Sequence, residues 1–170
     1  HTLKEFIMEN KIIKMNSAIQ KSSKKNLLEK FHPNNCMTYS GKLATIEDAV
    51  NSKAPSIASF QREQGRKFTE GLVTVWLMYL NNILNLNKPM SGDQINLCSS
   101  MVVEEFYMLK VSDLTLLFKR IISGQYGEFY ERLSIDKILT FFRTYLEERF
   151  NLAEDNSQRN HKEEIYKSNI

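Results

Sequence analysis

The chain has 170 residues, of which 42% are hydrophobic, with 6 Gly, 3 Pro and a net charge of +3. That length suits one domain, and the apolar content is too high for a wholly disordered chain. So few Gly and Pro favour long helices, and no run of about 18 apolar residues exists to cross a membrane. The first residue is His1 rather than Met, so a processed or tagged N-terminus is expected.

The charge is uneven. Residues 1–44 carry eight Lys against Glu5, Glu9 and Glu29, for +5. Within this basic arm Leu3, Phe6, Ile7, Ile12, Ile13 and Ile19 recur at helical spacing, which predicts a helix over 3–21. It would continue or fray through Lys24–Phe31, then either pack as an outer helix or extend to a partner. His32-Pro33-Asn34-Asn35 reads as a break and residues 32–44 as a loop.

Thr45-Ile46-Glu47-Asp48 resembles a capping box and predicts a short helix ending near Asn51. Pro55 fits the first turn of a second one running toward Gln64, with Gly65 as an interruption. Phe68, Leu72, Val75, Trp76, Tyr79, Leu80, Ile83 and Leu84 give residues 66–86 the widest apolar stripe and predict the central core helix. Pro89 forbids its continuation.

Ser91-Gly92-Asp93-Gln94 is a full capping box, opening a helix that turns Ile95, Cys98, Val102 and Phe106 inward. After a connector at 107–111, Ser112 is expected to cap a helix burying Leu114, Leu117, Phe118, Ile121 and Ile122. Gly124 stands where a left-handed residue would close it. Phe129, Tyr130 and Leu133 read as a packed turn. Ser134 is expected to cap a last helix with Ile135, Ile138, Leu139, Phe142, Tyr145 and Leu146 inward. The apolar stripe then ends, so 151–170 reads as a polar tail, either a solvated helical extension or disordered.

The expected fold is therefore an all-α single-domain bundle of about six or seven helices. Residues 1–44 form a basic helical arm and loop, 45–150 the core domain and 151–170 the tail.

Site chemistry is sparse. His1, His32 and His161 have no His or Cys three or four residues away, so neither a metal nor any other cofactor is expected. Cys98 lies on an inward stripe and Cys36 in the expected loop. Two such cysteines read as free thiols of a cytoplasmic protein, Cys36 the more reactive. Glu104-Glu105 and Glu147-Glu148 are paired acids, but adjacent helical residues point about 100° apart and do not converge. No enzymatic activity is expected.

The segment from Asp113 to Arg149 carries the candidate site: a helix, the turn Gly124-Gln125-Tyr126-Gly127, an aromatic pair and a second helix. Glycines allow another backbone close approach, amides at such a turn can bind phosphate, and Tyr126 could stack on a base. Lys119, Arg120 and Arg132 flank the turn, which gives Lys119, Arg120, Gly124, Tyr126, Gly127 and Arg132 as candidate nucleic-acid-binding residues. The structural alternative makes Gly124 a helix cap and Tyr126 a plug between helices.

Several pieces of residues 66–149 carry a resemblance: Val75-Trp76-Leu77 with Leu80-Asn81, Asp93-Gln94-Ile95, Asp113-Leu114 with Leu117-Phe118, Gly124-Gln125-Tyr126-Gly127, and Tyr145-Leu146 before Arg149. This half of the chain resembles a family of small uncharacterised helical proteins from gut-type bacteria and their mobile elements. It is more distantly similar to phage and plasmid replication accessories of the helicase-loader kind. The resemblance implies no catalytic residues. The expected function is a non-enzymatic interaction or adaptor protein, with a role as a DNA-replication accessory of a mobile element. A protein partner, weak DNA binding, no membrane and a homo-oligomer are the partner expectations. The alternative is a homo-oligomerising interaction module without nucleic acid.

Overall fold

Helix α5 (Arg66–Leu84) is the piece around which the others assemble. Thr69, Leu72, Val73, Trp76, Leu77 and Leu80 are its buried residues, three and four apart along one face. In the computed structural model, which describes residues 2–128 and 132–169, it is flanked in sequence by α1 (Leu3–Lys30), α2 (Pro33–Thr38), α3 (Ile46–Asn51) and α4 (Ile57–Gln64). On its other side come α6 (Gly92–Glu105), α7 (Val111–Ile122) and α8 (Ile135–Ser168). The fold is an all-α bundle. Among the described residues no strand forms, and extended pairing is limited to the single bridges Ser56–Lys110 and Lys88–Arg132.

The α5 stripe is rotated from the expected one. Val73 and Leu77 are buried, whereas Ile83 is exposed and Val75 and Tyr79 are only half-buried. The face toward α6 is the reason. There Thr74 donates to Ser99 Oγ at 2.8 Å, and Asn81 clamps Met90, donating to its carbonyl at 3.0 Å and accepting its N–H at 2.8 Å.

Helix α7 is enclosed almost all round: nine of its 12 residues are buried, from Val111 through Phe118 together with Ile121. It starts earlier than expected and Ser112 is not its cap. Asp113 reaches back to accept the Lys110 N–H at 2.8 Å, which frees the Ser112 hydroxyl to donate to the Ala49 carbonyl at 2.7 Å and tie α7 to α3. Trp76, Phe118 and Phe142 join α5, α7 and α8 edge to face, with centroids 5.2 and 6.3 Å apart.

Three other expectations need correction. Residues 32–44 are not a loop: Pro33 occupies the first turn of α2, where its missing N–H costs nothing, and the His32 ring accepts the Asn34 N–H as a cap. A 3-10 turn at Ser40–Lys42 follows. Pro55 lies outside α4, which is capped by Ser56 accepting the Ser59 N–H. Ser134 is the N-cap residue of α8, but its side chain makes no capping bond. Phe129 and Tyr130 lie outside the described residues.

The capping boxes of Thr45 and Ser91 form as expected, and Gly65 separates α4 from α5 at φ +88°. Leu28, Phe31, Cys36 and Met37 pack against the core from the N-terminal side. Farther toward the N-terminus, Gln20, Ser23 and Lys24 share a groove with Glu63 and Gln64 at the end of α4, and none of the residues of α1 is buried. Helix α8 is likewise two things in succession: Ile138 to Tyr145 enter the core, and the tail continues as helix to Ser168 without another buried residue.

Candidate interaction surface

The Gly124-Gln125-Tyr126-Gly127 turn closes α7 as its glycines demand. Gly124 has φ +78° and Gly127 φ +106°. The Gln125 N–H returns to the Arg120 carbonyl at 3.0 Å and the Gly124 N–H to Ile121 at 3.1 Å, the paired bonds of a Schellman ending. A side chain at either glycine would meet open space, so conformation, not crowding, selects Gly here.

The flanking basic residues do not converge. Arg120 turns toward α8, where its Nη1 donates to Glu148 at 2.8 Å and to the Tyr126 hydroxyl at 3.3 Å, with the guanidinium 5.8 Å from the Tyr145 ring. Burial opposes its charge, but the bond to Tyr126 and the Glu148 carboxylate outweigh that and raise its pKa. Lys119 turns the other way and donates to the Ser40 carbonyl at 3.1 Å. Arg132 is exposed, its backbone bridged to Lys88. Tyr126 is half-buried, its ring 5.9 Å from Phe141, and burial raises its hydroxyl pKa. Arg120, Tyr126 and the two glycines thus form one cluster, while Lys119 and Arg132 stand apart from it.

Behind the turn lies a polar knot that sequence reasoning missed. Asp113 is fully buried, and Tyr145 donates to its Oδ1 at 2.7 Å. Arg149 Nε stands 3.4 Å from the same oxygen without a hydrogen bond. Burial, then the Asp113 charge, hold the Tyr145 hydroxyl far above its ordinary range. The signal was an acid inside an apolar run together with Tyr145 and Arg149 four residues apart. The knot fastens α8 to α7.

Neither cysteine is activated. Cys36 sits on α2, half-buried, not in a loop, and burial pushes its thiol up to about 11. Cys98 is fully buried and pushed up to about 12. An open groove of about 550 Å³ beside α5 is lined by His32, Asn34, Val75, Met78, Tyr79 and Ile83, and His32 is already engaged in capping α2. Among the described residues no group of three or more His, Cys, Asp or Glu could hold a metal ion, and no helix is long and apolar enough to cross a membrane.

Helix α1 is different in kind. Leu3, Phe6, Ile7, Met8, Ile12, Ile13, Met15 and Ile19 are each 52 to 75% exposed. At about 100° per residue they fall on two separate sides. Met8, Ile12, Met15 and Ile19 form one line, Leu3, Phe6, Ile7 and Ile13 the other. Lys4 and Lys11 lie between the two, and Lys14, Lys21 and Lys25 are interleaved with Leu3 and Ile7 on the second side. No protein-family model, curated protein or solved structure matches the chain.

Proposed function

We propose that the protein is a non-enzymatic interaction module of the cytoplasm, in which the helical core presents α1 as a docking arm. One observation carries this: eight large apolar side chains stand on a single helix outside a well-filled core. Scattered exposed apolar residues are ordinary, but a contiguous row is the mark of a surface that another molecule covers. The test is capture of partners from the native cell with wild-type protein and with an Ile12→Lys/Ile19→Lys variant, each with and without nuclease. Loss of specific partners in the variant supports a docking arm. An unchanged set of partners overturns it.

A nucleic-acid role, as the resemblance of residues 66–149 suggests, is favoured by the lysines of α1 rather than by the glycine turn. Arg120 would have to leave Glu148 and Tyr126 before it could reach a phosphate. Binding of duplex DNA through three or four of these lysines would fall with salt at a log–log slope of about −3. Replacing Lys11 and Lys14 by Ala would flatten that slope by about 0.9 for each phosphate no longer neutralised. Absence of binding at low salt removes DNA from the proposal and leaves protein association.

A further inference from the structure

We propose that the occupant of the arm is α1 of a second copy of this chain, paired in parallel and in register along Met8, Ile12, Met15 and Ile19. The pairing rests on α1 being a docking arm, and it adds the identity of the partner.

The spacing of the four residues is four, three and four, which alternates the d and a positions of a two-stranded coil. Isoleucine then occupies a at residues 12 and 19, and unbranched methionine occupies d at 8 and 15. A β-branched residue at a with an unbranched one at d favours two parallel strands. The register continues through Ser22 at d to Asn26 at a, and Asn26 is exposed. A single asparagine at a fixes register and oligomer state, because its partner across the seam is itself.

Charge favours the parallel direction only at the g and e positions, since the a position before Met8 is Glu5, which a parallel pair sets against its own copy. In a parallel pair Lys4 at g faces Glu9 at e of the second copy, and Lys25 meets Lys30 where the helix enters the core. In an antiparallel pair Lys4 would meet Lys25 and Glu9 would meet Asn16, which loses the attraction and keeps a repulsion. A lipid surface suits this helix less well. Interfacial helices gather their apolar residues on one wide face, whereas α1 spreads them around most of its circumference with lysines interleaved. The seam from Met8 to Asn26 is about 27 Å long at 1.5 Å per residue, less than three heptads, so dimerisation is weak and falls in the micromolar range.

The experiment is sedimentation velocity on the full chain over a wide concentration range, alongside two variants. Ile12→Lys/Ile19→Lys lies on exposed positions, and circular dichroism confirms that it folds. Ser22→Cys places a thiol at d, where only a parallel, in-register pair brings the two sulfur atoms within disulfide reach. Wild-type protein is expected to pass from monomer to dimer, the double lysine variant to lose at least tenfold in association, and Ser22→Cys to form a covalent dimer under mild oxidation that wild type does not. A monomer at every concentration overturns the pairing, as does a dimer indifferent to the two lysines or one that Ser22→Cys fails to cross-link. A monomeric wild type that still loses cellular partners on Ile12→Lys/Ile19→Lys leaves the docking arm standing and removes only the second copy. Monomeric wild type that binds anionic vesicles through the same isoleucines replaces the second copy by a membrane surface.

Discussion

Helices α1 and α7 use similar apolar residues to opposite ends. The 12 residues of α7 bury nine, and the 28 residues of α1 bury none. Content separates them in part, 7 apolar residues of 12 in α7 against 11 of 28 in α1, and arrangement does the rest. Leu114, Leu117, Phe118 and Ile121 lie close enough together for α3, α5 and α8 to surround them. In α1 the isoleucines and methionines fall on two sides with lysines interleaved, so no single surface of the same domain could cover them. A helix apolar on several sides is stable inside an assembly and poorly suited to the rim of a monomer.

The sharpest way to break that contrast is a pair of truncations. Trp76 has no exposed surface, and its ring meets Phe118. Trp76→Ala is expected to cost about 3–5 kcal/mol in urea unfolding. Ile12→Ala in the monomer is expected to stay within about 0.5 kcal/mol of wild type. Equal costs would mean that the arm is packed in solution and that the contrast is false.

Asp113 tests whether α7 is held by more than apolar burial. Asp113→Ala removes the acceptor of Tyr145 and of the Lys110 N–H and leaves Arg149 beside no carboxylate. A loss of about 3 kcal/mol is expected, the cost of leaving buried polar partners uncompensated. A loss under about 1 kcal/mol would show that surface-type electrostatics suffices there.

Gly124→Ala is a smaller probe of how α7 ends. With open space around it, the substitution pays only for a left-handed backbone, about 1 kcal/mol, read as a lowered melting temperature. An unchanged melting temperature would mean that α7 ends by another route.

The smallest effect concerns pH. The Arg143 guanidinium grips Glu105 at 2.7 and 2.9 Å and holds its carboxyl below the usual glutamate range. A carboxylate with a depressed folded-state pKa adds stability at neutral pH and gives it up as pH falls through that lowered value. The urea midpoint should therefore fall more on acidification in wild type than in Arg143→Gln. Parallel pH profiles would show that this pair between α6 and α8 contributes nothing measurable.

What could be read in the sequence was local. The boxes of Thr45 and Ser91 and the left-handed Gly124 involve residues within a few positions of each other, and their geometry follows from the chain alone. Pro33 misled because proline both ends helices and begins them, and the choice depended on His32 supplying the cap. Ser112 misled because Asp113 did the capping instead. Of the candidate site, the shape of the glycine turn was legible. The direction of Arg120 was not, since Glu148 lies 28 residues away and meets it only after α8 folds back. The apolar residues of α1 were visible too, but that none of the described residues covers them is a fact of the assembled fold.

One bond ties the core to the root of α1. The indole N–H of Trp76 donates to the Phe31 carbonyl at 3.0 Å, where α1 enters the core. It is the chain's single tryptophan. Its fluorescence therefore reports on the junction of α1 with the core as well as on the interior: peeling the root of α1 away would strip the indole of its acceptor and admit water. The molecule carries its own optical gauge of whether its arm is seated.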